Sequence, residues 1–519
     1  MKKKQKGGIR LCKKHFIRSI IIIVLSVVLV GCSVGNLGNQ NRNREELGAL
    51  QKDTLLIDVE STPIDMGSLN QYKIEAELNT NIHQLIAKQS VSYVNNTQEE
   101  LKEIYFNLYP NAFKDKDTAP ILFDQTRHAS KYEAGYIELN NLKVNDEKNN
   151  YEISGIGETL LKIPLEEPLQ PHKVVDIYME YTIQVPNVKE RFGVWEGVYN
   201  FGNWYPVAAV YDHRGWNLEP YYSIGDPFYS EVGNYDVTLI LPEKMELAAS
   251  GNITSHMTRK NKRIWKIESK LMRDFAWCSS EDFEVEEVMV GDTVVKMYYL
   301  TNDPQVREKA KEYAVNSLKT FNEVYQPYPY GYYSVVETNF PSGMEYPGLV
   351  YVGRQHYDKN RLDSLELIIV HETAHQWWYG VVGNDQVNEA WLDESLTTYS
   401  ELAYYRNVYD EEKGIQHHQR RNQSQYEVVK EGFSDKRILR PLSEFDGWSD
   451  YGTLVYSHGA NMLYHLEEQY GEDKLYEILK TYYHENQFKV ATSEDFIRIT
   501  EEILSKDQEI FFGKWLLGQ

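Results

Sequence analysis

Hydrophobic and polar positions change their rhythm once along this chain. Over about 71–290 apolar residues recur at every second position or in short β-branched runs. YKIEAEL, LIAKQSVSYV, EIYFNLYP, HKVVDIYMEYTIQVP, GNYDVTLILP and NKRIWKIES are such runs, punctuated by Gly, Pro or Asn. A period of two is that of a half-buried strand, so this stretch predicts an all-β domain, a sandwich or an open saddle of sheets. From about 291 the rhythm shifts. Two strands, TVVKMYYL and YYSVVET, flank a helix at about 304–325. From 362 onwards the period is helical, near 362–380, 389–407, 413–431, 456–470, 472–485, 493–504 and 507–518. That predicts a second, α+β domain dominated by helices over 291–519. The segment 32–69 is polar, rich in Asn, Gly and Gln and without period, and reads as a flexible tether. An aromatic block, RFGVWEGVYNFGNWYPVAAVYDHRGWNLEPYY, suits a groove lining or packing between sheets equally well.

The first residues follow neither rhythm. Eight Lys and Arg precede or flank the apolar run 20–30, which ends in Leu29-Val30-Gly31-Cys32. A run of that length suits a signal peptide and falls short of the roughly 20 residues a spanning helix needs. A small residue directly before Cys resembles a bacterial lipobox, in which Cys32 becomes the lipidated first residue of the mature chain. An uncleaved signal anchor is the alternative. The expectation is therefore export, loss of 1–31, and lipid anchoring at Cys32 to the outer face of the bacterial cytoplasmic membrane. Without 1–31 the chain keeps 47 Lys and Arg against 77 Asp and Glu, a net of −30. So acidic a chain is a poor partner for nucleic acid or an anionic lipid surface. Of the three cysteines only Cys278 would stay free, so no intramolecular disulfide is expected, and its thiol reads as a small core residue.

The chemistry concentrates in RLDSLELIIVHETAHQWWYGVVG. Asp363 or Ser364 can cap this helix, Glu366 favours its first turn, and Gly380 and Gly383 can end it. At 3.6 residues per turn His371 and His375 share a face and can converge on one ion. Glu372 lies about 100° round the helix, where it can act on a water without competing as a ligand. Zinc takes N, O or S donors tetrahedrally and needs a third protein ligand in a catalytic site. The next helix, NEAWLDESLTTYSELAYY, offers Glu394, and Glu401 shares its face seven residues on. One can bind the metal while the other supports a ligand from behind. Two core histidines sharing a face is the plain alternative to a metal site.

The wording around these positions resembles the gluzincin aminopeptidases, peptidase family M1, the group of aminopeptidase N and leukotriene-A hydrolase. HETAHQWWYG followed by WLDESLTTY resembles the family's H-E-x-x-H-x18-E with its W-L-N-E-G-F-A-x-Y context. PSGMEYPGLVY resembles G-x-M-E-N, and VYSHGANMLYHLE resembles the Y-x-K-G segment. The resemblance spans roughly 70–519. It implies a β domain at 70–290 and a thermolysin-like, mostly helical zinc-peptidase domain at 291–519. It further implies one Zn2+ held by His371, His375 and Glu394, with Glu372 as general base. Tyr456 would stabilise the oxyanion (Tyr451 is its rival), and Glu401 would support a ligand. Glu345 would grip the substrate's free α-amine, and Met344 and Gly343 beside it would belong to the substrate-binding residues.

Several positions depart from the family pattern. Ser342 and Tyr346 replace Gly and Asn of the exopeptidase motif, His458 replaces Lys, and Asp393 and Ser395 flank Glu394. The helical C-terminal domain that most members carry is missing from the resemblance. The implied activity is removal of N-terminal residues from peptides with a free N-terminus. Endopeptidase action on longer peptides, or peptide capture by a lipoprotein using the peptidase fold, are the alternatives.

Overall fold

Alternation in the first strands builds the first layer. In Asn70–Asn79, Tyr72, Ile74, Ala76 and Leu78 point inward while Lys73, Glu75 and Glu77 face water. The computed structural model describes residues 55–57, 62, 64–117, 119–121 and 132–519. The expected signal peptide, Cys32 and most of the 32–69 tether lie outside the described residues. Asn70–Asn79 sits inside an eight-stranded sheet, parallel to Gly233–Pro242 and antiparallel to Gln84–Val94. Two four-stranded sheets accompany it, giving the N-terminal β domain that the period of two predicts. The aromatic block mainly packs. Phe201 stacks on Trp277 with centroids 3.9 Å apart, and the Trp204 indole donates to the Phe275 carbonyl at 3.0 Å. Cys278 is fully buried beside Asn200.

The second part is built on a five-stranded sheet followed by helices. Thr293–Tyr299, Tyr332–Thr338 and Leu349–Gly353 run parallel, and Gly343–Met344 is the antiparallel edge. Its other edge strand is Glu284–Val290, so the seam between sheets precedes position 290. Helix α1 (Pro304–Val324) is the crossover between the first two parallel strands. Asp303 caps it, accepting from the N–H groups of Gln305 and Val306. Helices α2 (Leu362–Ala374) and α3 (Trp391–Val408) follow and carry the candidate ligands.

Two features bind the parts together. Leu55 bridges to Tyr330 and the Leu56 N–H donates to the Pro329 carbonyl at 2.8 Å, so the far end of the expected tether is docked. Arg273 of the β domain is 1% exposed and donates to the carbonyls of Ser230, Tyr379 and Lys489 at 2.8–2.9 Å. A Cβ on Gly383 would lie 2.1 Å from its guanidinium carbon, so only glycine admits the side chain there. Tyr379, whose carbonyl it holds, has φ +112°, a conformation costly for a non-glycine residue.

Candidate metal centre and active-site cavity

Helix α2 buries Leu365, Ile369, Val370 and Ala374, and this anchors the face bearing the histidines. The helix starts after Arg361 with no side-chain cap. Asp363 lies in its first turn, and the Ser364 hydroxyl is 2.7 Å from His356 Nδ1 instead of capping. It closes at Ala374, well before Gly380. His375, at the C-cap with φ −59° and ψ −16°, keeps the helical register. Glu366 is buried and accepts from the hydroxyls of Tyr404 and Tyr409 at 3.0 and 2.7 Å.

Both imidazoles are oriented from behind. His371 Nδ1 lies 3.0 Å from Glu401 Oε1, and His375 Nδ1 lies 3.0 Å from the Trp378 carbonyl. Each partner accepts, so each Nδ1 carries the hydrogen and each Nε2 faces the common point. The two Nε2 atoms are 3.2 Å apart, and they lie 3.2 and 3.3 Å from Glu394 Oε2. Donors bound tetrahedrally to zinc at 2.0–2.1 Å stand roughly 3.3 Å from one another. The spacing and the N, N, O chemistry therefore fit one such ion. The electrostatics agree. Burial disfavours charge on His371 and His375, yet surrounding carboxylates raise them to about 9 and about 10. Burial likewise works against Glu394, but both histidines hold it well below the usual carboxylate range. The three groups form a site that recruits positive charge.

A cavity of about 140 Å³ opens over these ligands. Glu372 faces it, pushed well above the usual range by burial and by Glu345. The edge strand brings Gly343 to its wall, and Glu345, directly after the strand, lines it too. A Cβ at Gly343 would sit 1.9 Å from Glu372 Oε1, so the glycine exists to let that carboxylate approach. Met344, expected to touch substrate, instead points the other way. It is fully buried, it is not among the cavity-lining residues, and its sulfur accepts from Arg191 Nε at 3.0 Å. Tyr346 also leaves the site: its hydroxyl donates to Asn203 at 3.1 Å and nests against Gly202.

Tyr456 lies in a π-helical stretch, Gly452–His458, and lines the cavity. Its hydroxyl donates to Glu394 Oε1 at 2.5 Å, and its ring lies parallel to His371 with centroids 5.6 Å apart. Tyr451 is 1% exposed, packed beside Gly225, and not among the lining residues. His458 stacks on Tyr426 at 3.9 Å, away from the ligands. Beside Glu394, Asp393 accepts from Gln386 and Asn384 at 2.6 and 3.0 Å. Ser395 donates to the Val455 carbonyl at 2.6 Å and fits against Gly459.

Sequence reasoning missed the β domain's share of this site. Asp226 lines the cavity and is ion-paired with Arg191. Carboxylate oxygens of Asp226, Glu345 and Glu394 all lie within 4.8 Å of one another. Burial and then Asp226 push Glu345 up to about 8. It also missed His417, whose Nε2 is 2.9 Å from Glu401 Oε2. Asp226 sits in a loop with no periodicity, 119 residues before Glu345, and no local signal marks it.

A β-sheet domain ahead of a mixed sheet-and-helix domain, with two histidines and a glutamate converging from adjacent helices, is the fold that two-domain M1 zinc metallopeptidases also have. Residues 309–515 match the Peptidase family M1 domain. In overall structure the chain is similar to the M1 zinc metallopeptidase from Deinococcus radiodurans. The TM-score is 0.60 at 15% identity, covering 88% of this chain and 95% of that one. A two-domain M1 zinc metallopeptidase mutant bound to L-arginine gives a TM-score of 0.61 at 15% identity, over 86% and 94% of the two chains. Among curated relatives, Leucine aminopeptidase 2 of Emericella nidulans is 25% identical over 205 residues, 37% of this chain and 32% of that protein. Leucine aminopeptidase 2 of Ajellomyces capsulatus is 20% identical over 396 residues, 73% and 61% of the two. The matches thus span less than two thirds of the length of these curated relatives.

Proposed function

We propose that this protein is a zinc-dependent aminopeptidase that removes N-terminal residues from peptides, using one ion held by His371, His375 and Glu394. One observation carries the aminopeptidase part. Oxygens from Asp226, Glu345 and Glu394 lie within 4.8 Å of one another beside the metal ligands. Three acceptors so spaced lie roughly 2.8 Å from a central point, the reach of a charge-assisted N–H···O bond. An α-ammonium with three donors fills such a cradle, and an acylated nitrogen does not. The carboxylates fix the substrate's register so that its first peptide bond meets the metal ligands.

When bound, zinc supplies Lewis acidity that polarises the scissile carbonyl and acidifies water. Glu372 then takes a proton from the attacking water and returns it to the leaving amine, from a position that Gly343 leaves clear. The Tyr456 hydroxyl, on the cavity wall, turns its single hydrogen from Glu394 Oε1 to the charge developing on the carbonyl oxygen. Glu401 holds the His371 tautomer. The Deinococcus radiodurans enzyme mutant with a bound Tyr-ser-ala substrate supports short peptides as the substrate class.

The test compares an aminoacyl-anilide with its N-acetyl form. Hydrolysis of the first alone, abolished by a chelator and by Glu372→Gln, is expected; equal turnover of both would sink the exopeptidase reading. Lipid anchoring at Cys32 on the outer face of the cytoplasmic membrane belongs to the same proposal and rests on the lipobox-like Leu29–Cys32. Cys32→Ala is expected to release the protein from the membrane fraction, and unchanged fractionation would refute the anchor.

A further inference from the structure

The active-site cavity has two chemically different ends. At one, Asp226, Glu345 and Glu394 gather beside His375. Beyond His371 the wall is made by Leu367 and Ile368, one turn earlier on α2, and by Arg421. Arg421 belongs to a π-helical turn, Gln419–Gln423. There Arg420 faces a separate recess with His417 and Lys413, while Arg421 faces the active-site cavity. Such turns redirect successive side chains and recur at functional sites.

Arg421 is the underused cation of the cavity. Its Nε lies 3.7 Å from Glu401 Oε2, beyond hydrogen-bond length, and has no hydrogen-bond partner. That Glu401 oxygen is already engaged by His417 at 2.9 Å. A third of the Arg421 side chain remains accessible. The other guanidinium at the cavity, Arg191, is held by Asp226 and Glu190.

We propose that Arg421 receives the C-terminal carboxylate of short peptides, so that the preferred substrates are peptides of two or three residues with both ends free. This rests on the aminopeptidase reading, because the ammonium cradle sets the direction in which the peptide runs. A substrate seated at Asp226 and Glu345 extends across the metal ligands towards Arg421. A guanidinium matches a carboxylate with two parallel donors, whereas a terminal amide offers one neutral acceptor.

The test uses the zinc-loaded full chain with paired peptides, Leu-Gly and Leu-Gly-Gly as free acids and as C-terminal amides. The acids are expected to exceed the amides about tenfold in kcat/KM, mainly through KM. The ratio should collapse to near one in Arg421→Gln and survive in part in Arg421→Lys. Equal use of acid and amide by the wild type overturns the proposal. So does an Arg421→Gln variant that slows both alike with the ratio intact, since the arginine would then act only through Glu401. Calorimetric binding of the same pairs to the zinc-loaded Glu372→Gln chain reads the preference without turnover. Absence of cleavage in the wild type refutes the peptidase reading, whereas equal affinities for acid and amide refute the carboxylate anchor.

Discussion

Substituting Gly343 by alanine tests the role proposed for Glu372 as general base. The added Cβ would stand 1.9 Å from Glu372 Oε1 and 2.3 Å from its carboxyl carbon, where ordinary contact begins at 3.4 Å. The strand is fixed by pairing with Leu349–Gly353, so the carboxylate must retreat by about 1.5 Å. A misplacement of about 1 Å costs on the order of 10²-fold, and a general base is worth about 10²–10⁴-fold. Gly343→Ala should therefore lower kcat by about 10²–10³, roughly 3–4 kcal/mol of barrier. The three heavy atoms nearest the new methyl group all belong to Glu372, and His371 and Glu394 are carried by α2 and α3 with His375 at the α2 C-cap, so zinc content should stay stoichiometric. The assay is kcat for an aminoacyl-anilide, with metal analysis and a thermal melt on the same sample. More than a third of wild-type kcat with zinc fully bound would refute the steric account of this glycine.

Three further outcomes follow from the same geometry. Glu401→Gln removes the charge behind His371 and should weaken zinc binding about 10–100-fold in a chelator competition; unchanged affinity would deny Glu401 its supporting role. While zinc is absent, His371 and His375 titrate near 9 and near 10, so at neutral pH zinc must displace protons. Affinity should then rise with pH below 9, by up to about 100-fold per unit when two protons leave, and a flat profile from pH 6 to 8 would contradict this. Glu337 is raised to about 7 by burial, so its folded form binds a proton more tightly than its unfolded form. Its stabilising contribution is full below about 4.5 and lost as pH rises through 7. Glu337→Gln keeps an oxygen for the Leu300 and Thr301 N–H groups, both at 2.8 Å, and escapes that loss. It should raise stability by on the order of 3 kcal/mol at pH 8 and little at pH 4.5, read by denaturant unfolding.

What could be read before the structure was set by periodicity and by spacing along single elements. The period of two located Asn70–Asn79, Gln84–Val94 and Val174–Gln184 because one face of each is buried and the other wet. His371 and His375 share a turn, and Glu394 and Glu401 share a helix face, so their convergence needed only helical geometry. Orientation between elements was not legible. Nothing local says that Met344 faces Arg191 while Gly343 and Glu345 face the cavity, since two residues of strand give no second face to compare. Asp226 reaches the site from a loop without a sequence period, and Arg421 from a π-turn inside the helical segment 413–431, where the period does not tell which of two adjacent arginines faces the cavity. The choice between Tyr451 and Tyr456 likewise turned on the π-helical register of Gly452–His458.

Arg273 has a consequence for how this protein can be taken apart. The stretch matching the Peptidase family M1 domain begins at 309, yet the guanidinium that fills the space against Gly383 is carried upstream of it. A catalytic half excised at that border would expose bare carbonyls at Tyr379 and Lys489, around a hole shaped for a side chain it lacks. Modules of this architecture are therefore not interchangeable parts. A chimera that borrows the metal-bearing helices must import the 273 loop with them, or lose the turn that holds His375.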